Sequence, residues 1–330
     1  MKRLILVVCS VFVFLQAHAQ GRKQLANFSH YKQFFNPSLT GYEGSVLKSL
    51  YRNQWTGFED APKTILASAE LDMAMLSQKK GRYFSGRSRR EAVSDQSAKH
   101  ALGLTLLHDQ FGPAKEMQVN LSYGAAIRLS EDFSLRWGTA LTYTAQHLDG
   151  NSLTLDQEND PRFSKIIGQE NRSGRGDINL GLSLTSARFY LGYALQNVTD
   201  GKLLSTGSDY LSDFSRRKHV ASAGYRMGVT DDIGFTVNGL YQYDQEFKST
   251  VEGQVKAVYN NLFWVSGGYR NDLAYTLGAG LHLDQLSVGY SYETPTQSAK
   301  AIDKATNELT LSYSLFNSGK QQHSKQLTVW

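Results

Sequence analysis

Met117-Gln118-Val119-Asn120-Leu121-Ser122-Tyr123-Gly124-Ala125-Ala126-Ile127-Arg128 is the stretch whose reading decides the fold. Met117, Val119, Leu121, Tyr123, Ala125 and Ile127 share one phase, and Gln118, Asn120, Ser122, Gly124, Ala126 and Arg128 share the other. A period of two belongs to a strand; a helix would repeat at about 3.6. The pattern returns at Leu286, Val288, Tyr290 and Tyr292 against Ser287, Gly289, Ser291 and Glu293. It returns again at Leu309, Leu311, Tyr313 and Leu315 against Thr310, Ser312 and Ser314. A soluble sandwich alternates in the same way, so the make-up of the faces has to decide. Here the polar faces are built from small Gly, Ser, Thr and Asn, the apolar faces carry Tyr and Phe near strand ends, and the strands run near ten residues. A membrane strand needs about 9–11 tilted residues with aromatic girdles at both interfaces.

Working outward, the same period marks about fourteen candidate strands between 46–53 and 307–316. The expected fold is all-β, a transmembrane outer-membrane barrel of about fourteen antiparallel strands. Some connectors are very short and made of turn formers, such as Ser130-Glu131-Asp132, Thr230-Asp231-Asp232 and Asn260-Asn261. Others, about 73–99, 148–175 and 198–216, are long and are expected on the opposite, outward rim. A barrel of this size lies between the roughly eight strands that side chains fill and the roughly sixteen that enclose an open channel. Its lumen must therefore be occupied or gated. Segment 20–45 is long enough to fold inside as a plug, and a flexible periplasmic tail is the other reading. The barrel is expected over 46–316, followed by a tail at 317–330.

The chain opens with Met1-Lys2-Arg3, an apolar run from Leu4 to Leu15 and Ala17-His18-Ala19, so residues 1–19 read as a secretory signal peptide. The single cysteine, Cys9, falls inside that run. The exported protein is thus expected to hold no disulfide, thiolate metal site or cysteine nucleophile. Loss of Lys2 and Arg3 takes the formal charge from +5 to +3, too balanced to imply nucleic acid. Beyond the leader no apolar stretch approaches the ~20 residues of a membrane helix, and mean hydropathy is −0.39. With 29 Gly, 18 Tyr and 16 Phe but 5 Pro, composition suits strands.

The residues carry no readable chemistry. The eight histidines form no His-x-x-x-His pair, and neither a nucleophile elbow nor a phosphate loop is present. Catalytic, cofactor-binding and metal-binding residues are all expected to be absent. Asp156, Glu158 and Asp160 alternate like a calcium loop but are followed by Pro161 where that loop needs glycine. The basic run Lys79, Lys80, Arg82, Arg87, Arg89 and Arg90 reads as a solvated loop before a phosphate grip, since Glu91 and Asp95 offset it. Arg175-Gly176-Asp177 reads as a chance tripeptide at a loop-to-strand junction.

One motif is long and specific. Leu50-Tyr51-Arg52-Asn53-Gln54-Trp55, then Gly57-Phe58 and Ala61-Pro62-Lys63-Thr64, resembles the PorP/SprF family of outer-membrane proteins associated with type IX secretion and gliding in Bacteroidetes. Phe35-Asn36-Pro37 with Gly41 is similar to that family's N-terminal element. Asp109 with Gly112-Pro113, Gly268-Tyr269-Arg270 and Gly289-Tyr290-Ser291-Tyr292 also fall where the family has similar residues. Asp60 and the run Ser38-Leu39-Thr40 depart from its usual pattern. The resemblance implies a non-enzymatic component of the cell outer membrane, needed for export or surface anchoring of particular cargo proteins such as adhesins. Its implied partners are outer-membrane lipid, the type IX secretion machinery and a secreted cargo protein or adhesin. Asn36, Pro37, Tyr51, Arg52, Asn53, Gln54, Trp55, Gly57, Phe58, Pro62 and Lys63 are its implied structural or partner contacts. Arg52 ends the first strand, where its guanidinium suits carbonyls or a carboxylate at the lumen rim, and Trp55 suits the interfacial belt. A transport channel for a hydrophobic or small polar solute is the alternative.

Overall fold

The structure is a computed structural model and describes residues 24–76, 99–152, 170–207, 216–244, 249–299 and 304–315. The expected leader, the basic and acidic loops and the C-terminal tail lie outside these residues. Fifteen strands follow in order: β1 (Val46–Asn53), β2 (Lys63–Asp72), β3 (His100–Phe111), β4 (Ala114–Arg128), β5 (Phe133–Asp149), β6 (Glu170–Ser186), β7 (Phe189–Gln196) and β8 (Leu204–Gly207). Then come β9 (Lys218–Gly228), β10 (Ile233–Asp244), β11 (Thr250–Tyr259), β12 (Phe263–Arg270), β13 (Ala274–Leu283), β14 (Leu286–Pro295) and β15 (Thr306–Ser314). All pairings are antiparallel and between chain neighbours, except that β7 pairs with β9, β8 pairs with β6, and the ring closes where β1 meets β15. Fourteen strands form the ring. The short β8 adds only to the upper part of β6, opposite Ser173–Gly176, where β7 does not reach.

Closure leaves no strand edge in the ring, so every backbone group at membrane depth can be paired without water. The alternation then sorts the side chains. Leu121 is 56% exposed on the outer wall while its neighbour Ser122 is 5% exposed toward the lumen. Leu141, Leu182, Leu191, Val237, Val265, Leu277 and Leu309 continue the outer apolar surface. Exposed Tyr51, Trp137, Tyr143, Tyr193, Tyr241, Tyr269 and Tyr290 supply aromatic bodies with polar tips.

The short turns share one rim, except Gly112-Pro113 and Asn271-Asp272-Leu273, which belong to the outward rim. Three of those on the shared rim use one device: the Ser130 hydroxyl accepts from the amides of Asp132 and Phe133, the Ser186 hydroxyl from those of Arg188 and Phe189, and the Thr230 hydroxyl from those of Asp232 and Ile233. Asn260, Asn261 and Asp284 close two others at positive φ, where Asn and Asp cost least. The start of β1 and the end of β15 lie on this rim too. So do the end of β2 and the start of β3, because Asp72 pairs with Ala101 and Glu70 with Val46. The long connector 73–99 therefore springs from the short-turn side, not from the outward side that its length suggested. Loop length is a statistical guide to sidedness, whereas strand parity fixes it. The connectors that leave the opposite rim include 54–62, 150–169 and 197–217.

Residues 24–45 run inside the ring, from the outward end at Gln24 down to Ser45 at the foot of β1. A one-turn helix, Lys32–Phe35, is flanked by 3-10 turns at Phe28–His30 and Pro37–Leu39. Leu25, Phe28, Tyr31 and Phe35 pack against inward-facing Leu50, Leu66, Leu107, Ala194, Val220 and Leu240. The molecule's hydrophobic core thus lies in the lumen of the barrel.

Candidate functional site

Two groups of charged residues, one toward each rim, hold the inner segment. At the outward end Arg52 on β1 is 1% exposed and donates to Glu293 (2.9 Å) and Glu308 (3.2 Å). Arg270 on β12 forks onto both oxygens of Glu252 (3.0 Å each) and reaches Glu293 at 3.1 Å. The inner segment completes this network. The Gln24 side-chain oxygen and the Leu25 carbonyl accept from Arg270, while the amides of Ala26 and Asn27 donate to the two oxygens of Glu308 (2.8 and 3.0 Å). Charge-assisted bonds of this kind are the strong ones, and here two arginines are shared among three carboxylates.

Toward the short-turn rim, Lys48 on β1 bridges Glu43 (2.7 Å), Glu70 (3.4 Å) and the His30 carbonyl (2.8 Å). Lys32 pairs with Glu43, and the Gly41 amide donates to Glu70 at 2.7 Å. Burial would raise the Glu43 carboxyl, but Lys32 and Lys48 together hold it well below the usual carboxylate range. Burial, followed by Lys48, pushes the His30 imidazole well below its ordinary value, so it is neutral at pH 7.

Between these ends the Asn36-Pro37 turn presses against the wall. The Asn36 side chain is fully buried, caps the turn by accepting from the Ser38 amide (3.0 Å), and donates to Ser183 on β6 (3.2 Å). Arg136 on β5 donates to the carbonyls of Ser38 (3.0 Å) and Thr40 (2.8 Å). Gly138 is required below it: a Cβ there would collide with the Pro37 carbonyl. Farther around the wall, Gln196 donates to the Phe34 and Phe35 carbonyls, Gln33 to Ser68, and Tyr31 to the Ser49 carbonyl. These bonds reach strands on all sides of the lumen.

The motif residues thus divide by position. Asn36, Pro37, Arg52 and Pro62 are buried; Asn53, Gln54 and Trp55 are half-buried; Tyr51, Gly57, Phe58 and Lys63 are exposed. Trp55 stands at positive φ and packs edge-on against Phe111, 5.4 Å between ring centres. The β1–β2 loop is tied down by the Gln54 amide to the Pro62 carbonyl, by the Gly112 amide to the Asp60 carbonyl, and by Thr64 to Asp109. A cleft of about 250 Å³ opens beside it, lined by Asn53, Gly57, Phe58, Asp60, Lys63 and Gln110 among others. Arg175-Gly176-Asp177 lies within β6, and Asp177 is spent on the amides of Thr199 and Gly201. Sequence reasoning missed Lys48, Glu70, Arg136, Glu252, Glu293 and Glu308. Their signal was a formal charge on the lumen phase of a strand. Among the described residues no group of three or more His, Cys, Asp or Glu could hold a metal ion.

A closed ring of fourteen antiparallel strands, apolar outside and carrying its core and buried ion pairs inside, defines a transmembrane β-barrel of the outer-membrane type. Residues 17–313 match the family model described as type IX secretion system membrane protein PorP/SprF. The chain belongs to that family and is a protein of the outer membrane. No curated protein matches. Among solved structures it is similar to the toluene transporter TbuX of Ralstonia pickettii, at 10% identity and TM-score 0.48, covering 85% of this chain and 92% of that one. It is also similar to a FadL homologue of Pseudomonas aeruginosa, at 10% identity and TM-score 0.42, covering 85% and 93%.

Proposed function

We propose that this protein is a non-enzymatic anchoring barrel of the type IX system, needed for export or surface attachment of specific cargo proteins such as adhesins. Residues 24–45 act as its plug. The observation that carries this reading is the filled lumen: a core and two ionic clusters occupy the space through which a solute would pass. A barrel so closed offers its rims as working surfaces, and loops on a rigid scaffold are where recognition is built. Cargo meets the outward connectors, with Trp55, Gly57, Phe58 and Lys63 exposed or half-exposed on one of them. The secretion machinery meets the short-turn rim, from which connector 73–99 leaves. Asn36, Pro37 and Arg52 serve the contact indirectly, by holding the plug and the loop base. Deleting the gene should leave the envelope intact while a particular secreted protein vanishes from the surface. Unchanged surface cargo would refute the anchor, and steady conductance of the intact barrel in a planar bilayer would favour the solute channel.

A further inference from the structure

One cation of the lumen is left over by the two ionic groups. Lys256 on β11 is 2% exposed, with its ammonium 4.6 Å from the centre of the Trp264 ring on β12. Among the described residues that ammonium has neither an ion pair nor a hydrogen-bond acceptor. The charged groups that act on it are Lys32, Glu43 and Lys48, and the two acids of that group, Glu43 and Glu70, are already bridged by Lys32 and Lys48. Three lysines against two carboxylates leave one positive charge uncompensated, because burial keeps His30 neutral. The next acid along the lumen face of β11, Glu252, is four residues and about 13 Å away and is clasped by Arg270. A ring face attracts a buried cation but does not replace a counter-ion.

Unused donors gather beside it. Thr236 on β10 is the register partner of Lys256, and Asn238 follows two residues along the same face. Both are buried, and neither the Thr236 hydroxyl nor the Asn238 Nδ2 has a hydrogen-bond partner among the described residues. Asn238 is fixed in that orientation, since its Oδ1 accepts from the Tyr190 hydroxyl at 3.1 Å. Ammonium, amide N–H and hydroxyl all donate, and the group they suit together is an anion. Open lumen connects them with the short-turn rim. Residues 36–43 of the inner segment are held on β1, β2, β4, β5 and β6. Across the lumen, Gly278, Gly280 and His282 on β13, Ser287 on β14 and Ser312 on β15 are half-exposed on the inward phase. Trp264 lies against Gly280 and Gly289, where a Cβ would collide with its ring, and so stays close to the wall. Lys256 stands three residues, about 10 Å, inside the end of β11 at Tyr259.

We propose that Lys256, Thr236 and Asn238 form a binding site for a carboxylate that enters the lumen from the short-turn rim, with the Trp264 ring as its wall. One surplus charge calls for a monoanion, and two oxygens let that anion accept from the ammonium and from the amide or hydroxyl at once. The carboxylate belongs either to a free small molecule or to an acidic side chain of a protein that reaches through the rim.

The test uses the full chain in detergent with isotope-labelled tryptophan, the Trp264 indole resonance being identified by its loss in Trp264→Phe. Three probes are titrated: acetate, a capped alanine pentapeptide with one central glutamate, and the same peptide with glutamine instead. The Trp264 resonance should shift saturably with acetate and with the glutamate peptide, and not with the glutamine peptide. Lys256→Met should weaken that binding by about tenfold or more, and Thr236→Val combined with Asn238→Ala by about threefold. A glutamate peptide bound more tightly than acetate assigns the site to a protein side chain, and one bound no more tightly assigns it to a free small carboxylate. Lys256→Met should also raise the urea midpoint of the protein without added carboxylate, because an uncompensated buried charge is removed. Heat-modifiable mobility shows which variants have closed as barrels, and the double substitution keeps the test decisive if Lys256→Met does not. Equal shifts with the two peptides, no saturable shift with either carboxylate, or unchanged binding in the closed variants would overturn the proposal. So would a lowered urea midpoint in Lys256→Met, the result expected of a lysine kept only for its stacking on Trp264.

Discussion

Arg52 shows how one side chain serves both barrel and plug. Its guanidinium joins Glu293 and Glu308, and Glu308 in turn holds the Ala26 and Asn27 amides. Arg52→Ala strands buried carboxylates, a change that typically costs about 3–5 kcal/mol. Urea unfolding of the heat-modifiable form should fall accordingly, with Arg52→Lys intermediate because a point charge cannot fork onto two acids. Gly138→Ala should act differently, leaving the ring closed while the Pro37 turn is displaced, so that protease reaches residues 24–45. His30 gives the docking a pH dependence. Its depressed value means that the docked segment refuses a proton that the released segment accepts. Docking is therefore unaffected above the ordinary histidine value of about 6.5 and weakens below it, by at most roughly 1.4 kcal/mol per pH unit, until the depressed value is passed. Protease release of the segment should rise between pH 7.5 and pH 5, and His30→Phe should flatten that rise.

At the level of strands and turns, facing decides which substitutions are tolerated. Leu121→Arg puts a charge on the lipid side near mid-membrane, at about 2–4 kcal/mol, and should lower the yield of closed barrel. Alternation alone predicts that Ser122→Arg, facing a polar lumen, is tolerated better. The structure revises that expectation: Ser122 touches Thr40 of the inner segment and lies under Gly103, so arginine there should close the barrel but expel the segment. The two variants are told apart by heat-modifiability and by protease access. The strands themselves were legible because a period of two over eight to seventeen residues is a local signal, as in β4 and β5. Their partners in the lumen were not. Arg270 and Gln24 are 246 residues apart, and nothing local says which strand face a distant segment will meet. Leu66 and Leu107, apolar on the polar phase beside Ile65 and Leu106, were the hint that the inner wall had something to bury. The missed β8 is only four residues long, with no alternation to read.

For the molecule as a whole, closure predicts a protein of the outer membrane that migrates differently when unheated in detergent, since a ring without edges resists unfolding. Excising residues 24–45 should leave that mobility shift and raise single-channel conductance well above the intact barrel's; equal conductance would mean that the segment seals nothing. The meeting of the first and last strands has a temporal consequence. Receptors for the segment sit on β1, β12 and β15, and Glu308 belongs to the strand that is made last. A segment left outside could not thread a sealed ring, and one already inside finds its outward clasp incomplete until β15 arrives. Seating of the segment and sealing of the seam are thus coupled through Glu308, and a ring still open between β1 and β15 holds its own occupant loosely, an open clamshell beside the finished one.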